Sequence, residues 1–400
     1  MAFAIHLPMT TKPMTTQQIP NGLFALIACG TMLGIAGTDL VLPAIPGLAH
    51  ALGGTVETAQ LVLAAYVFGT LIGLLGFGEL GARIDPRQLL VWSLALFALI
   101  SFAAAASPSL QWLIALRCVQ GAVGACAAVF APGFINVLYP PDRAAHMLGR
   151  LGSIESLAPA LAPIAGVYLL SLGGWSLSFL TLGILGAISA AATWLFKHAL
   201  PASPADASKH QGYWSILRRR RFLGFAFSQS FSLGSLLIFV FGAPTVMTQT
   251  MGLTLSHFVI LQLAGIAMFI IGANLSSRLA VRFGVGRVIF LGTLAIALAF
   301  VGILAVASLG ASAFAVIVVF WMMVNLGFGV RGPVGFHQAI LAAEGDHSRG
   351  AALVIAGILS TAALGTAIMA PFIGAGLWAL ALAGAVVAFS GLAALMLIRT

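Results

Sequence analysis

Long apolar runs broken by short polar stretches dominate the chain from beginning to end. The runs fall at about 22–43, 57–80, 88–108, 110–135, 149–171 and 174–196. A second set falls at about 222–246, 256–279, 287–309, 311–335, 350–371 and 374–397. A helix of ~20 apolar residues, rising 1.5 Å per residue, spans a hydrocarbon core of ~30 Å. A membrane barrel would instead show ~10-residue segments of alternating polarity. The pattern therefore predicts twelve transmembrane helices. The narrowest separation is Ser107-Pro108-Ser109, between the third and fourth spans.

Composition agrees with this reading. Only 7% of residues are charged and 61% are hydrophobic, with a mean hydropathy of +1.10. A soluble domain carries roughly 25% charged residues, so this set cannot cover a globular surface. The net charge of +9 does not point to nucleic acid, because Lys and Arg are scattered through short loops. Lys12, Arg83, Arg87, Arg143, Arg150, Lys197, Lys209, Arg218 to Arg221, Arg278, Arg282, Arg287, Arg349 and Arg399 all fall at the termini or in every second loop. The remaining two, Arg117 and Arg331, lie inside spans rather than at their ends. By the positive-inside rule both termini are expected in the cytoplasm. We read no removable signal peptide at the start. A multi-pass protein of the cytoplasmic (inner) membrane is expected, in contact with lipid and monomeric.

The domain expectation follows from the longest polar stretch. It gives a cytoplasmic N-terminal segment at 1–21 and a six-helix bundle at 22–196. A cytoplasmic linker follows at 197–221 and a second six-helix bundle at 222–400. The halves echo each other at an offset of 199 residues: Leu80 and Arg83 match Leu279 and Arg282, and Arg150 matches Arg349. Parallel repeats of this kind create a central cavity at their interface. The predicted fold class is an all-α membrane protein with two pseudo-symmetric six-helix bundles around such a cavity.

Four segments carry a family resemblance. Gly78-Glu79-Leu80-Gly81-Ala82-Arg83-Ile84-Asp85-Pro86-Arg87 resembles the cytoplasmic loop signature of the major facilitator superfamily, with Ala82 at that family's Asp position and Asp85 at its second Gly. Arg117-Cys118-Val119-Gln120-Gly121 is similar to the family's fourth-span signature, and Pro159-Ala160-Leu161-Ala162-Pro163-Ile164-Ala165-Gly166 to its antiporter signature, with Ala162 in place of Gly. The end of the first span, Gly37-Thr38-Asp39-Leu40-Val41-Leu42-Pro43, resembles that of twelve-span drug:proton antiporters, including the bicyclomycin-resistance-like branch. The resemblance implies two bundles rocking around a central site and proton-driven export of small drug-like or amphipathic molecules. An alternative is a facilitator or symporter of a sugar, organic acid or other metabolite.

Intramembrane charge nominates the site. A carboxylate at depth is costly unless paired, wetted or protonated, so Asp39 and Glu155 are proton-coupling candidates, with Arg117 as a modulating cation. The bland alternatives are an interfacial helix-end residue for Asp39, a paired structural charge for Glu155 and a structural clamp for Arg117. Gly78, Glu79, Leu80, Arg83, Asp85 and Arg87 are expected to form a cytoplasmic gate loop, or simply a solvated one. Pro159, Pro163 and Gly166, with Ala162, are expected to bend the fifth span at the interface of the halves. Gln120, Arg331 and Phe239 are candidates for the substrate cavity, Arg331 being equally readable as an interfacial anchor. No phosphate-binding loop, metal-ligand spacing or nucleophile elbow appears. We therefore expect no enzyme, no metal and no cofactor, with a proton gradient as the energy source.

Overall fold

The computed structural model describes residues 21–81, 83–155, 157–201, 213–309, 314–344 and 347–398. Every regular element among them is helical. With lipid as solvent, backbone N–H and C=O groups must pair within the segment, and a helix does this for each run separately.

In the N-terminal half the helices are α1 (Asn21–Asp39), α2 (Ile45–Leu52), α3 (Val56–Leu80), α4 (Pro86–Ala105), α5 (Leu110–Leu138), α6 (Pro141–Glu155), α7 (Ala158–Gly173) and α8 (Trp175–Phe196). The short α9 (Tyr213–Leu217) precedes the second half, which contains α10 (Arg220–Thr245), α11 (Leu255–Phe283), α12 (Val285–Ser308), α13 (Phe314–Leu341), α14 (His347–Met369) and α15 (Leu377–Ala394). Eleven helices among the described residues are long and apolar enough to cross a membrane. The expected span at 149–171 is instead divided between α6 and α7, on either side of residue 156, which lies outside the described residues. The divided pair still runs the length of α1. Arg150 stacks over Phe24 near the start of α1, while Gly166 lies against the Leu40 carbonyl and Pro43 at its far end. It thus supplies the twelfth crossing. Most of the expected linker, residues 202–212, lies outside the described residues, as do residues 1–20 and Ala82.

Local chemistry sets the helix ends. Thr55 and Ser109 accept the backbone N–H groups of Thr58 and Trp112, capping α3 and α5. Asp85 caps α4 through Arg87 N–H, with Pro86 at the first helical position, where its missing N–H costs nothing. Gly284, at φ 86°, turns α11 directly into α12 in a conformation that side chains rarely adopt.

Small residues allow the closest crossings. A Cβ on Gly69 or Gly73 of α3 would collide with the α5 carbonyls of Cys118 and Ala122, and one on Gly121 of α5 with the Tyr66 carbonyl. The same device recurs in the second half, where Gly272 and Gly329 bring α11 against α13. Gly272 is the 199-residue repeat mate of Gly73. Such small-residue faces give membrane helices their packing where no hydrophobic drive exists. The outer surface carries Trp92, Trp112, Leu99, Ile188 and Val281, all exposed and suited to lipid contact.

The halves meet chiefly through α3 and α14, with α7 against α11. Two side-chain hydrogen bonds between the halves lie at the end of the array without Lys or Arg. Gln60 Nε2 donates to Thr245 Oγ1, and Gln249 Nε2 donates to the Pro46 carbonyl at 2.8 Å. Thr245 ends α10 and Gln249 sits in the π-turn that follows, Val246–Thr250.

Candidate functional site

A cavity of about 430 Å³ lies between the halves. From the first half it takes residues of α1, α3, α5 and α7, and from the second residues of α10, α11, α13 and α14. The wall is mainly apolar, with Leu233, Leu236, Val240 and Phe241 on one side and Phe269 and Phe328 on another. The last two rings stack at 5.8 Å. Its polar members are Thr31, Thr38, Asp39, Tyr66, Thr70, Gln262, Trp321 and Asn325. Among the described residues, Asp39 is the one carboxylic acid in the lining, and no Lys or Arg lines it.

Asp39 occupies the last position of α1, just before the Leu42–Ala44 turn. Beneath it a buried network fixes that helix end. Arg117 is fully buried; its Nη1 donates to the Gly37 carbonyl and to Gln120 Oε1, each at 2.8 Å, and its Nε reaches the Val62 carbonyl at 3.4 Å. The guanidinium stacks 4.0 Å above the Tyr66 ring, an attractive cation–π geometry. Tyr66 in turn donates to the Gly34 carbonyl at 2.6 Å. Gln120 passes the chain on to Ser101 at 2.7 Å, and Ser101 to the Phe97 carbonyl at 2.6 Å. Gly37 is required here, since a Cβ would strike the Tyr66 hydroxyl. Arg117 therefore grips the carbonyl end of α1, where the helix dipole favours a cation, and makes no ion pair with the Asp39 carboxylate. Its Nη2 has no hydrogen-bond partner. The cation does not pair with the acid, and the acid lines the open cavity.

The other expected site residues distribute as follows. Glu155 ends α6 with its carboxylate against Thr31, a cavity-lining residue. Pro159 reaches the cavity; Ala162, Pro163 and Gly166 are buried behind it, Gly166 against the end of α1. Gln120, Arg331 and Phe239 stand behind the wall rather than in it. Gln120 is consumed by Arg117 and Ser101. Phe239 stacks on the rear of Trp321 at 4.8 Å. Arg331 is fully buried within the second half, reaching only Ser228, at 3.2 Å to its carbonyl and 3.4 Å to its hydroxyl. At the loop of residues 78–87, Asp85 chelates Arg87 with a closest contact of 2.8 Å. That bond holds the Asp85 carboxyl below the usual carboxylate range. Gly78, Glu79, Leu80 and Arg83 are exposed, and the Asp85–Arg87 pair is internal to the loop. Sequence reasoning missed Gln60, Gln262 and Asn325. Their signal was available: each is an amide inside an apolar run, and polarity at membrane depth calls for a partner or a function.

The sequence profile of the Major Facilitator Superfamily matches residues 27–367. The chain belongs to this superfamily. Its superfamily fold is also evident in solved structures. One is a POT family transporter in complex with 5-aminolevulinic acid, with a TM-score of 0.74, 12% identity, and 94% and 95% of the two chains covered. Another is a bacterial homologue of the human lysosomal transporter Spinster in an inward-facing and unoccupied conformation, with a TM-score of 0.68, 14% identity and 96% of each chain covered. Among superfamily relatives, the bicyclomycin resistance protein homolog of Haemophilus influenzae is 24% identical over 64% of this chain and 65% of its own length. The multidrug resistance protein MdtL of Escherichia coli is 26% identical over 57% of this chain and 58% of its own. The uncharacterized MFS-type transporter YdgK of Bacillus subtilis is 29% identical over 59% and 60%. The matched stretches thus span about three fifths of these relatives. Superfamily membership makes the protein a multi-pass membrane transporter rather than an enzyme.

Proposed function

We propose that the protein exports small drug-like or amphipathic molecules across the cytoplasmic membrane in exchange for protons, by alternating access of the cavity. The observation that carries this reading is the cavity itself: apolar and aromatic walls drawn from both halves, with a single carboxylate, Asp39, and no basic side chain in the lining. Its volume lies within the ~300–1,000 Å³ range of drug-sized sites. An organic acid would find no cation among the described residues of the lining. The distant relatives named for bicyclomycin and multidrug resistance support the same direction.

In this reading the arginine-rich end faces the cytoplasm, and the present state is latched at the outer end through Gln60–Thr245 and Gln249–Pro46. Asp39 takes a proton from the outside when that latch opens and releases it inside. Arg117 stations the end of α1 and keeps a positive potential near the acid, and Glu155 is an auxiliary acid at the Thr31 side. One entering proton supplies ~2.3 kcal/mol per 100 mV and ~1.36 kcal/mol per pH unit, enough to drive accumulation outward.

The test uses proteoliposomes preloaded with a fluorescent amphipathic dye. Wild-type protein should move the dye against its gradient only when a proton gradient is imposed. Asp39→Asn should abolish that uphill movement while retaining downhill counterflow. Uphill transport by Asp39→Asn with unchanged pH dependence would remove the acid from the mechanism.

A further inference from the structure

The wall contributed by the second half carries polar groups that the packing leaves unused. Gln262 of α11 is 6% exposed and lines the cavity. Its amide makes no hydrogen bond within the protein, yet its polar atoms are not among those sealed away from access. The cavity is what they face. Asn325 of α13, also lining and 5% exposed, donates Nδ2 to the Trp321 carbonyl at 2.9 Å. That bond fixes the orientation of the amide and leaves its oxygen without a donor. Both amides border the same cavity, and Gly265, one turn along from Gln262, lies against Asn325 Nδ2 and the Trp321 ring nitrogen.

We propose that Gln262 and Asn325 form a subsite for a neutral group carrying both a donor and an acceptor, such as a carboxamide, lactam or urea on an aromatic body. The inference deepens the proposed function, resting on this cavity being the substrate site. The chemistry is specific. An amide in apolar surroundings must be paired or wetted, and Gln262 offers both N–H and C=O. A ligand that reproduces both bonds of the water it displaces gains affinity, whereas one that supplies only an acceptor strands a polar atom. The stacked Phe269 and Phe328 beside this wall suit a flat aromatic body. An organic anion is disfavoured, because the lining contains no cation to replace its hydration and contains Asp39.

The test is binding to purified protein in lipid nanodiscs without any gradient, with empty nanodiscs subtracted for partitioning. Three probes share one fluorescent ring system: pyrene-1-carboxamide, methyl pyrene-1-carboxylate and pyrene-1-carboxylate. Wild-type protein should bind the amide about tenfold more tightly than the ester, and the carboxylate least. Gln262→Leu should bring the amide down to the ester's level, with a wild-type unfolding temperature in detergent showing that the variant is folded. Asn325→Leu should reduce the preference in the same way. Equal binding of amide and ester to wild-type protein, a preference that survives in Gln262→Leu, or no binding of any probe would each overturn the subsite. Because no gradient is present, these outcomes are independent of proton coupling and of transport direction, which the Asp39→Asn experiment decides.

Discussion

The two halves share a repeat but not a chemistry. In the first, a buried arginine, Arg117, makes two 2.8 Å bonds, to a helix end and to a glutamine, while its Nη2 has no partner, and an acid lies on the cavity wall. In the second, Arg331 is equally buried but makes only two long bonds to one serine, and its Nε has no partner. No Asp or Glu falls within the predicted spans of the second half. The backbone scaffold is conserved between halves by the need for close helix crossings, seen in the pair Gly73 and Gly272. The polar groups are free to diverge, because each is decided by local burial and partners. The division of labour that follows is an acid pole in the first half and a neutral amide pole in the second.

The largest expected effect tests that division. Asp39→Asn should reduce uphill transport to the background of empty liposomes, whereas Gln262→Leu should leave the proton dependence intact and change only which probes bind. Next, the two arginines should respond differently to removal. Arg117→Leu strands the Gly37 carbonyl and Gln120 Oε1 in a sealed interior, a loss of roughly 1–3 kcal/mol for each acceptor, visible as a lower unfolding temperature in detergent. Arg331→Leu removes a buried cation with poor compensation and should stay within about 1–2 kcal/mol of wild type. Equal losses would erase the contrast. A smaller effect should come from the latch between halves. Gln60→Leu, in a cysteine-free background with Thr38→Cys as reporter, should raise labelling from the arginine-free side about fivefold; an unchanged rate would mean that Gln60 holds nothing closed.

The smallest effect concerns the loop of residues 78–87. Arg87 lowers the folded-state pKa of Asp85. Its contribution is therefore complete above the unfolded value near ~4 and is lost as pH falls through the lower folded value. The pair is partly exposed, so Asp85→Asn should cost under ~1 kcal/mol at neutral pH and nothing in strong acid. Thermal unfolding at neutral and strongly acidic pH measures the difference.

Much of the fold was legible because periodicity was not needed. The run length alone gave twelve crossings; the structure keeps eleven as long continuous helices and divides the span at 149–171 into α6 and α7, where Pro159 and Pro163 mark the sequence. The site was legible in part. Asp39 and Pro159 announced themselves as an acid and a proline at depth, and both reach the cavity. Gln120, Phe239 and Arg331 announced themselves equally, yet a neighbour or a helix stands between each and the cavity. Gln262 and Asn325 were overlooked because a neutral amide breaks a hydropathy run less than a charge does.

By itself the sequence determined the solvent, the number of crossings, the repeat and the identity of the rare charged groups, since those depend on composition along one dimension. Only the tertiary structure decided which polar atoms are spent on each other and which remain for a ligand. Arg117 and Gln120 consume one another across a single turn, while Gln262 finds no partner at all. Hydrogen bonds act over about 3 Å, and no pattern along the chain encodes which helices approach that closely.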